Sequence, residues 1–190
     1  MKRRTLLQGF ATVVASLPFA RLKAFAEPRE LTPEAVATLH EIAPTVLPAS
    51  LGADRLKATV DKFAEWTRNY REGVPLQHGY GHPRLRKTGP TPAPTYLAQL
   101  TAIDAAAKAK GGSFASLDAT ARRAIVEESI AKTDIRNLPP RPSGQHVVVD
   151  LMALYFRSSE ANDDCYNALI NREICRPIAV TITKPKPKHA

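Results

Sequence analysis

The sequence predicts an all-α protein: a small helical domain of about six helices, with a long proline- and glycine-rich loop and a disordered C-terminal tail. Three observations predict it. Apolar residues recur at helical spacing along most of the chain. The prolines, sixteen against nine glycines, gather mainly in three stretches and so read as stiff connectors between helices. Hydrophobic residues make up 44% and charged ones 24% of 190 residues, enough for one packed domain with extensions and too apolar for a chain disordered by composition.

Taken in order, Leu31-Thr32-Pro33-Glu34 is a helix start, with Thr32 as cap, Pro33 at the first helical position and Glu34 at the positive end. Val36, Leu39, Ala43, Val46 and Leu47 follow, and Pro44 should kink or end that helix. A second helix carries the stripe Leu56, Val60, Phe63, Thr67 and Tyr70, with Trp66 on its flank. From Gly73 to Pro94 the period stops; such a loop of about twenty residues in a small domain is unusual and is often functional or partner-bound. Tyr96, Leu100, Ile103 and Ala107 make a third helix, ended by Gly111-Gly112. Leu117, Ala121, Ala124 and Ile125 suggest a fourth, capped near Ser116 or Asp118. Pro139 to Gly144 is a second rigid break. The apolar run Val147 to Phe156 favours a buried helix over a strand because of its unbroken length. Ser159 can cap a last helix with Glu160 and Asp163 in its first turn and Tyr166, Leu169 and Ile170 facing inward. Thr183 to Lys188 alternates lysine and proline as an extended, solvated tail.

The formal net charge is +9, but Lys2, Arg3, Arg4, Arg21 and Lys23 lie in the first 26 residues, which contain no acid. The remainder carries +4, three of which are Lys184, Lys186 and Lys188. The body is thus close to neutral, which removes most of the case for a nucleic-acid partner. The first 26 residues instead have the layout of an export signal: a basic start, about a dozen apolar residues, and Ala24-Phe25-Ala26 before a cut. A spanning helix needs about 20 apolar residues, so a permanent anchor is not expected. Arg3-Arg4 followed by Leu6-Leu7, with Arg21 and Lys23 near the cut, resembles a twin-arginine signal. That route carries proteins already folded, so the twin-arginine translocase is an expected partner and the periplasm the expected location. The chain divides into signal 1–26, helical body 27–183 and Lys-Pro tail 184–190.

Cys165 and Cys175 are the only cysteines, and in an oxidising compartment they are disulfide candidates. Continuous helix would hold them about 15 Å apart, too far to bridge, so pairing requires the last helix to end near Asn171 and the chain to turn back. The alternatives are a bridge to another subunit or a reactive thiol. No Cys-x-x-Cys-His occurs, which excludes covalent c-type haem on this chain. His78 and His82 flank Gly79-Tyr80-Gly81. Two histidines without a third nearby ligand make a poor metal site, whereas glycines that allow close approach and an anchoring tyrosine suit a partner interface. Neither a nucleophile elbow, a phosphate loop nor a dinucleotide fingerprint is present. Asp150, inside the apolar run, must be bonded or paired if buried, and a lone buried aspartate more often ties a helix or loop in place than acts as a base. No catalytic, cofactor-binding or metal residue is therefore assigned.

Several segments together resemble the gluconate 2-dehydrogenase subunit 3 family: the signal, Leu31-Thr32-Pro33-Glu34, His78-Gly79-Tyr80-Gly81, Gly112-Ser113-Phe114-Ala115-Ser116-Leu117, Asp150 to Ala161, and Cys165-Tyr166 to Cys175-Arg176. The resemblance spans nearly the whole mature chain and rests on order and co-occurrence rather than on any one motif. It implies the small, non-catalytic subunit of a membrane-associated periplasmic dehydrogenase. The large partner is a flavoprotein of the glucose–methanol–choline class that holds FAD and oxidises a sugar, sugar acid or alcohol; a multihaem cytochrome c, carrying haem c, often takes the electrons as a third subunit. The small subunit supplies the export signal and helps the flavoprotein mature, at the periplasmic face of the inner membrane. The long loop and Lys-Pro tail do not map onto every member. Two other readings stay open: a stand-alone periplasmic enzyme with a metal at His78, His82 and Asp150, and a solitary ligand-binding or scaffold protein.

Overall fold

A computed structural model describes residues 28–76 and 86–167. Among these, six α-helices follow one another: α1 Pro33–Val46, α2 Gly52–Arg68, α3 Ala93–Ala109, α4 Ala119–Ala131, α5 Val147–Phe156 and α6 Ser159–Tyr166. Short 3-10 turns at Ala49–Leu51 and Phe114–Ser116 precede α2 and α4. The described body is all-α, as the sequence predicts. None of its helices is long and apolar enough to cross a membrane.

The helix starts obey local chemistry. The Thr32 hydroxyl accepts from Ala35 N–H at 3.3 Å, Pro33 occupies the first turn, where its missing N–H costs nothing, and Glu34 lies beside it. Hydrogen bonding to its own backbone N–H, then to Thr32, holds the Glu34 carboxyl below its ordinary range. Pro44 does not kink α1 out of existence: it falls in the last turn, and the helix ends two residues later at Val46. Asp118, not Ser116, caps α4, accepting from Ala121 N–H at 2.7 Å, while Ser116 belongs to the preceding 3-10 turn. On α4 Ile125 and Val126 are buried and Ala124 is exposed, so that stripe is rotated from the one expected.

Helix α5 is the hub. It packs against each of the other five helices, while α1 also lies on α2 and α3, and α3 on α4. A helix that is apolar all round can satisfy that burial only at the centre, and Val147, Val148, Val149, Leu151, Ala153 and Tyr155 are all buried. The stripe expected on α2 is present: Val60, Phe63 and Thr67 are buried, with Leu56 and Tyr70 half-buried beside them. On α3 Tyr96, Leu100, Ile103 and Ala107 all face inward. Each fully buried large side chain of this kind stabilises by about 1.5–3 kcal/mol relative to exposure.

The region 73–94 needs two corrections. Its base is paired: Gly73 N–H donates to Thr88 O, Thr88 N–H to Val74 O and Leu76 N–H to Arg86 O, around the isolated antiparallel bridge Pro75–Lys87. Its end is already helix, because α3 begins at Ala93 with Pro94 in the first turn, where proline is tolerated. The last helix also starts one residue early. Ser158 is the cap, accepting from Ala161 N–H at 3.1 Å, and Ser159 is the first helical residue. α6 stops at Tyr166, with Asn167 left-handed at φ 47°, and Tyr166 is 68% exposed rather than inward-facing. Leu169, Ile170 and the Lys-Pro tail lie outside the described residues.

Candidate functional site

Two features of the body stand out chemically: a buried carboxylate beneath α5 and an open groove along α2. The carboxylate is Asp150, wholly buried. Tyr96 Oη donates to its Oδ2 at 2.6 Å, Gly144 N–H to Oδ2 at 2.8 Å, Ser143 N–H to Oδ1 at 2.7 Å and Ser143 Oγ to Oδ1 at 3.2 Å. Four donors on two oxygens meet the acceptor capacity of a carboxylate. Its place in the first turn of α5 adds the positive end of the helix. Gly144 can aim its N–H there because it adopts φ 83°, a left-handed value that favours glycine. Burial, and then the Asp150 charge, push the Tyr96 phenol far above its ordinary range, so it stays a donor. Asp150 thus pins the proline-rich break to the core. It has no exposed edge, and its two oxygens accept four hydrogen bonds from within the fold.

The start of α5 is held in an unusual way. His146 is the cap residue, but its side chain makes no capping bond. Instead Gln99 of α3 grips the backbone on both sides: its Nε2 donates to Gln145 O and its Oε1 accepts from Val147 N–H, each at 2.8 Å. The His146 ring is 1% exposed; Nε2 meets Ser129 Oγ at 2.9 Å, while Nδ1 is buried without a partner among the described residues. Burial lowers the ring's pKa, outweighing the opposing effects of Asp150 and Ser129. Protonation would create a second N–H with nothing to receive it.

From Asp150 an aromatic file leads outward. Tyr96 stacks at a tilt on Phe63, with centroids 5.5 Å apart; Phe63 stacks on Trp66 at 5.8 Å, and Trp66 meets Tyr70 edge-on at 5.6 Å. Trp66 reaches the groove, an open cavity of about 550 Å³ between α2 and the α5–α6 corner. Leu51, Arg55, Thr59, Lys62 and Trp66 line it from the α2 side; Leu154, Tyr155 and Arg157 line it opposite. Two ion pairs join its walls at the α6 end. Arg55 binds Asp164 through both terminal nitrogens, at 3.2 and 2.5 Å, and Tyr155 Oη donates to the same carboxylate at 2.9 Å. Lys62 Nζ meets Glu160 at 2.7 Å, and that bond, with the backbone N–H of Glu160, keeps its carboxyl below the ordinary range.

Of the residues singled out from sequence, Asp150 is buried and fully bonded, as a structural aspartate should be. Cys165 lies exposed on α6. Its candidate partner Cys175, the signal residues Arg3, Arg4, Ala24 and Ala26, and the loop residues His78, Gly79, Tyr80, Gly81 and His82 fall outside the described residues. Among the described residues no group of three metal-ligating side chains converges. The sequence reading missed the groove, although its signal was present: Leu51, Arg55, Thr59, Lys62 and Trp66 step by about four residues and define a second face of α2 beside the apolar one. In comparisons with known proteins, no family model, no curated protein and no solved structure matches the chain.

Proposed function

We propose that the chain is the non-catalytic small subunit of a periplasmic, membrane-associated FAD-dependent dehydrogenase that oxidises a sugar, sugar acid or alcohol. In this reading Arg3 and Arg4 address a folded complex to the twin-arginine translocase, and the helical body holds the flavoprotein during maturation and export. The observation that carries it is the N-terminus: Arg3-Arg4, Leu6-Leu7, a short apolar core and Ala24-Phe25-Ala26 form an address of the type used for proteins exported folded. The resemblance of segment order to the gluconate 2-dehydrogenase subunit 3 family supports the choice of partner. The state of Asp150 supports the non-catalytic part, because the chain's most conspicuous buried acid is committed to holding its own backbone.

The test is made in the native host. The double variant Arg3→Lys, Arg4→Lys is expected to leave both this chain and the flavoprotein in the cytoplasm. A tagged wild-type chain is expected to pull down a larger yellow protein with a flavin spectrum from the periplasmic and membrane fractions. Continued export of the flavoprotein in the double variant would defeat the shared-address idea, and a colourless single chain would defeat the stable complex.

A further inference from the structure

We infer that the groove along α2 is a docking site for an extended, acidic segment of the partner protein; the identity of that partner rests on the reading above. The shape comes first. The lining runs from Leu51, at the end of the preceding 3-10 turn, along α2 to Trp66, which at helical rise is about 22 Å. That length accommodates about six or seven residues of extended chain.

The floor is apolar and aromatic. Leu51, Leu154, Tyr155 and Trp66 face the groove, and Trp66 is half-buried with one face stacked on Phe63. A fixed, partly exposed tryptophan at the end of a groove is an anchor for an apolar or aliphatic side chain.

Charge decides the rest. The lining carries three cations, Arg55, Lys62 and Arg157, and one acid, Glu160; Asp164, bonded to Arg55 at the wall, is a second acid, so the excess is the single positive charge of Arg157. Arg55 and Lys62 have partners on α6, but those pairs are 38% and 62% exposed on the cationic side and remain open to further acceptors. Arg157 is exposed and forms no ion pair among the described residues. It sits at the α5–α6 corner and lines the same cavity as Lys62. An incoming aspartate or glutamate meets positive charge from both walls, and acidic complementarity of this kind orients a partner and sets its register. The exposed Arg157 charge, with the shared Arg55 and Lys62 opposite and an aromatic floor between, therefore favours an extended acidic strand of polypeptide.

The experiment places a photoactivatable phenylalanine analogue at Thr59, in the middle of the groove, in the full chain expressed in its own host. After irradiation the adduct is digested and sequenced, and flavin is measured in the same eluate. A cross-link to a flavoprotein segment containing Asp or Glu, reduced about tenfold by Arg157→Glu and by raised salt, is the expected result. Arg157 is exposed and makes no ion pair among the described residues, so that variant folds. Cross-links to residues 168–190 of the same chain, to a second copy or to phospholipid each overturn the inference, as does an adduct insensitive to Arg157→Glu. Flavin without a groove adduct overturns the docking site and leaves the subunit reading standing. An acidic adduct from a protein without flavin sustains the groove's chemistry and overturns the subunit reading.

Discussion

Helices α5 and α6 are separated by two residues in the chain and are secured by different physics. α5 buries seven of its ten residues, touches every other helix, and has its one charged residue bonded internally on all sides. α6 buries only Ala161 and Asp163, packs mainly on α5, and is tied to α2 by Arg55–Asp164 and Lys62–Glu160 at the surface. Apolar burial scales with area and is not screened by salt, whereas exposed ion pairs are worth little and are screened. α5 is thus the element whose loss unfolds the body. α6 is the element that can yield locally, at the wall of the groove where a partner would arrive.

The sharpest way to break this contrast is Asp150→Ala. It strands the Tyr96 hydroxyl and the Ser143 and Gly144 N–H groups, each unsatisfied buried donor costing about 1–3 kcal/mol. The expected loss is about 3 kcal/mol or more, a fall in Tm of about 10 °C for a chain this size, read by circular dichroism. Tyr96→Phe removes only the 2.6 Å bond and is expected to cost about 1–2 kcal/mol. If Asp150→Ala melted within about 2 °C of wild type, the buried carboxylate would not be what fixes the proline-rich break to α5.

Arg55→Ala is the matching test of α6. Its pair with Asp164 is bidentate, which favours it, but the side chains are 38% and 21% exposed, which discounts it to about 1 kcal/mol. The effect is expected to be local: in hydrogen exchange the amides of 159–166 lose protection while those of 147–156 keep theirs. Equal acceleration of both helices would mean that α6 is not an independent unit.

Acidification separates the two regions by pH. Burial depresses the His146 pKa in the folded state, so the unfolded chain binds the proton more readily. The stability associated with neutral His146 is complete above the unfolded value of about 6.5 and declines as pH falls through the depressed folded value. Glu160 is also depressed, but its contribution is present above about 4.3, the unfolded carboxyl value, and is lost only below it. As pH falls below about 6.5, destabilisation is expected to come first from the start of α5 and to shrink in His146→Gln. An unchanged profile in that variant would assign the loss elsewhere.

Much of this contrast was legible in the residues. The apolar run 147–156 reads directly as a buried element, and Asp150 within it demands partners. What sequence could not supply was their identity: Tyr96 lies 54 residues away, and Gln99, which grips the start of α5, looks like an ordinary surface glutamine. Tyr166 was misread for the same reason. It was expected to face inward from its apolar type and lies exposed, whereas α6 is held by Asp164 to Arg55, 109 residues apart, and by Glu160 to Lys62, 98 residues apart. Periodicity finds faces that bury carbon; it is silent on which charged faces will meet. The pairing of 73–76 with 86–88 escaped for another reason, since three backbone bonds between two short segments, one holding Pro75, leave no side-chain pattern to read.

Lys62→Ala is the smallest perturbation and the most discriminating one. The Lys62–Glu160 pair is short at 2.7 Å, yet its side chains are 62% and 47% exposed, so removing it is expected to change global stability by no more than about 0.5 kcal/mol. Its consequence for partner binding runs differently. Removing Lys62 takes one cation from the groove and releases Glu160, so that the three cations and two acids at its walls, Asp164 included, become two and two with Glu160 unpaired. If α6 merely rests on α2, Lys62→Ala is silent in both folding and complex formation. If the groove reads acidic chain, the variant keeps its Tm and loses partner affinity in a salt-dependent way. A stability loss comparable to that of Arg55→Ala would instead make Lys62–Glu160 a fastening of the fold, and α6 would then resemble α5 more than the present contrast allows.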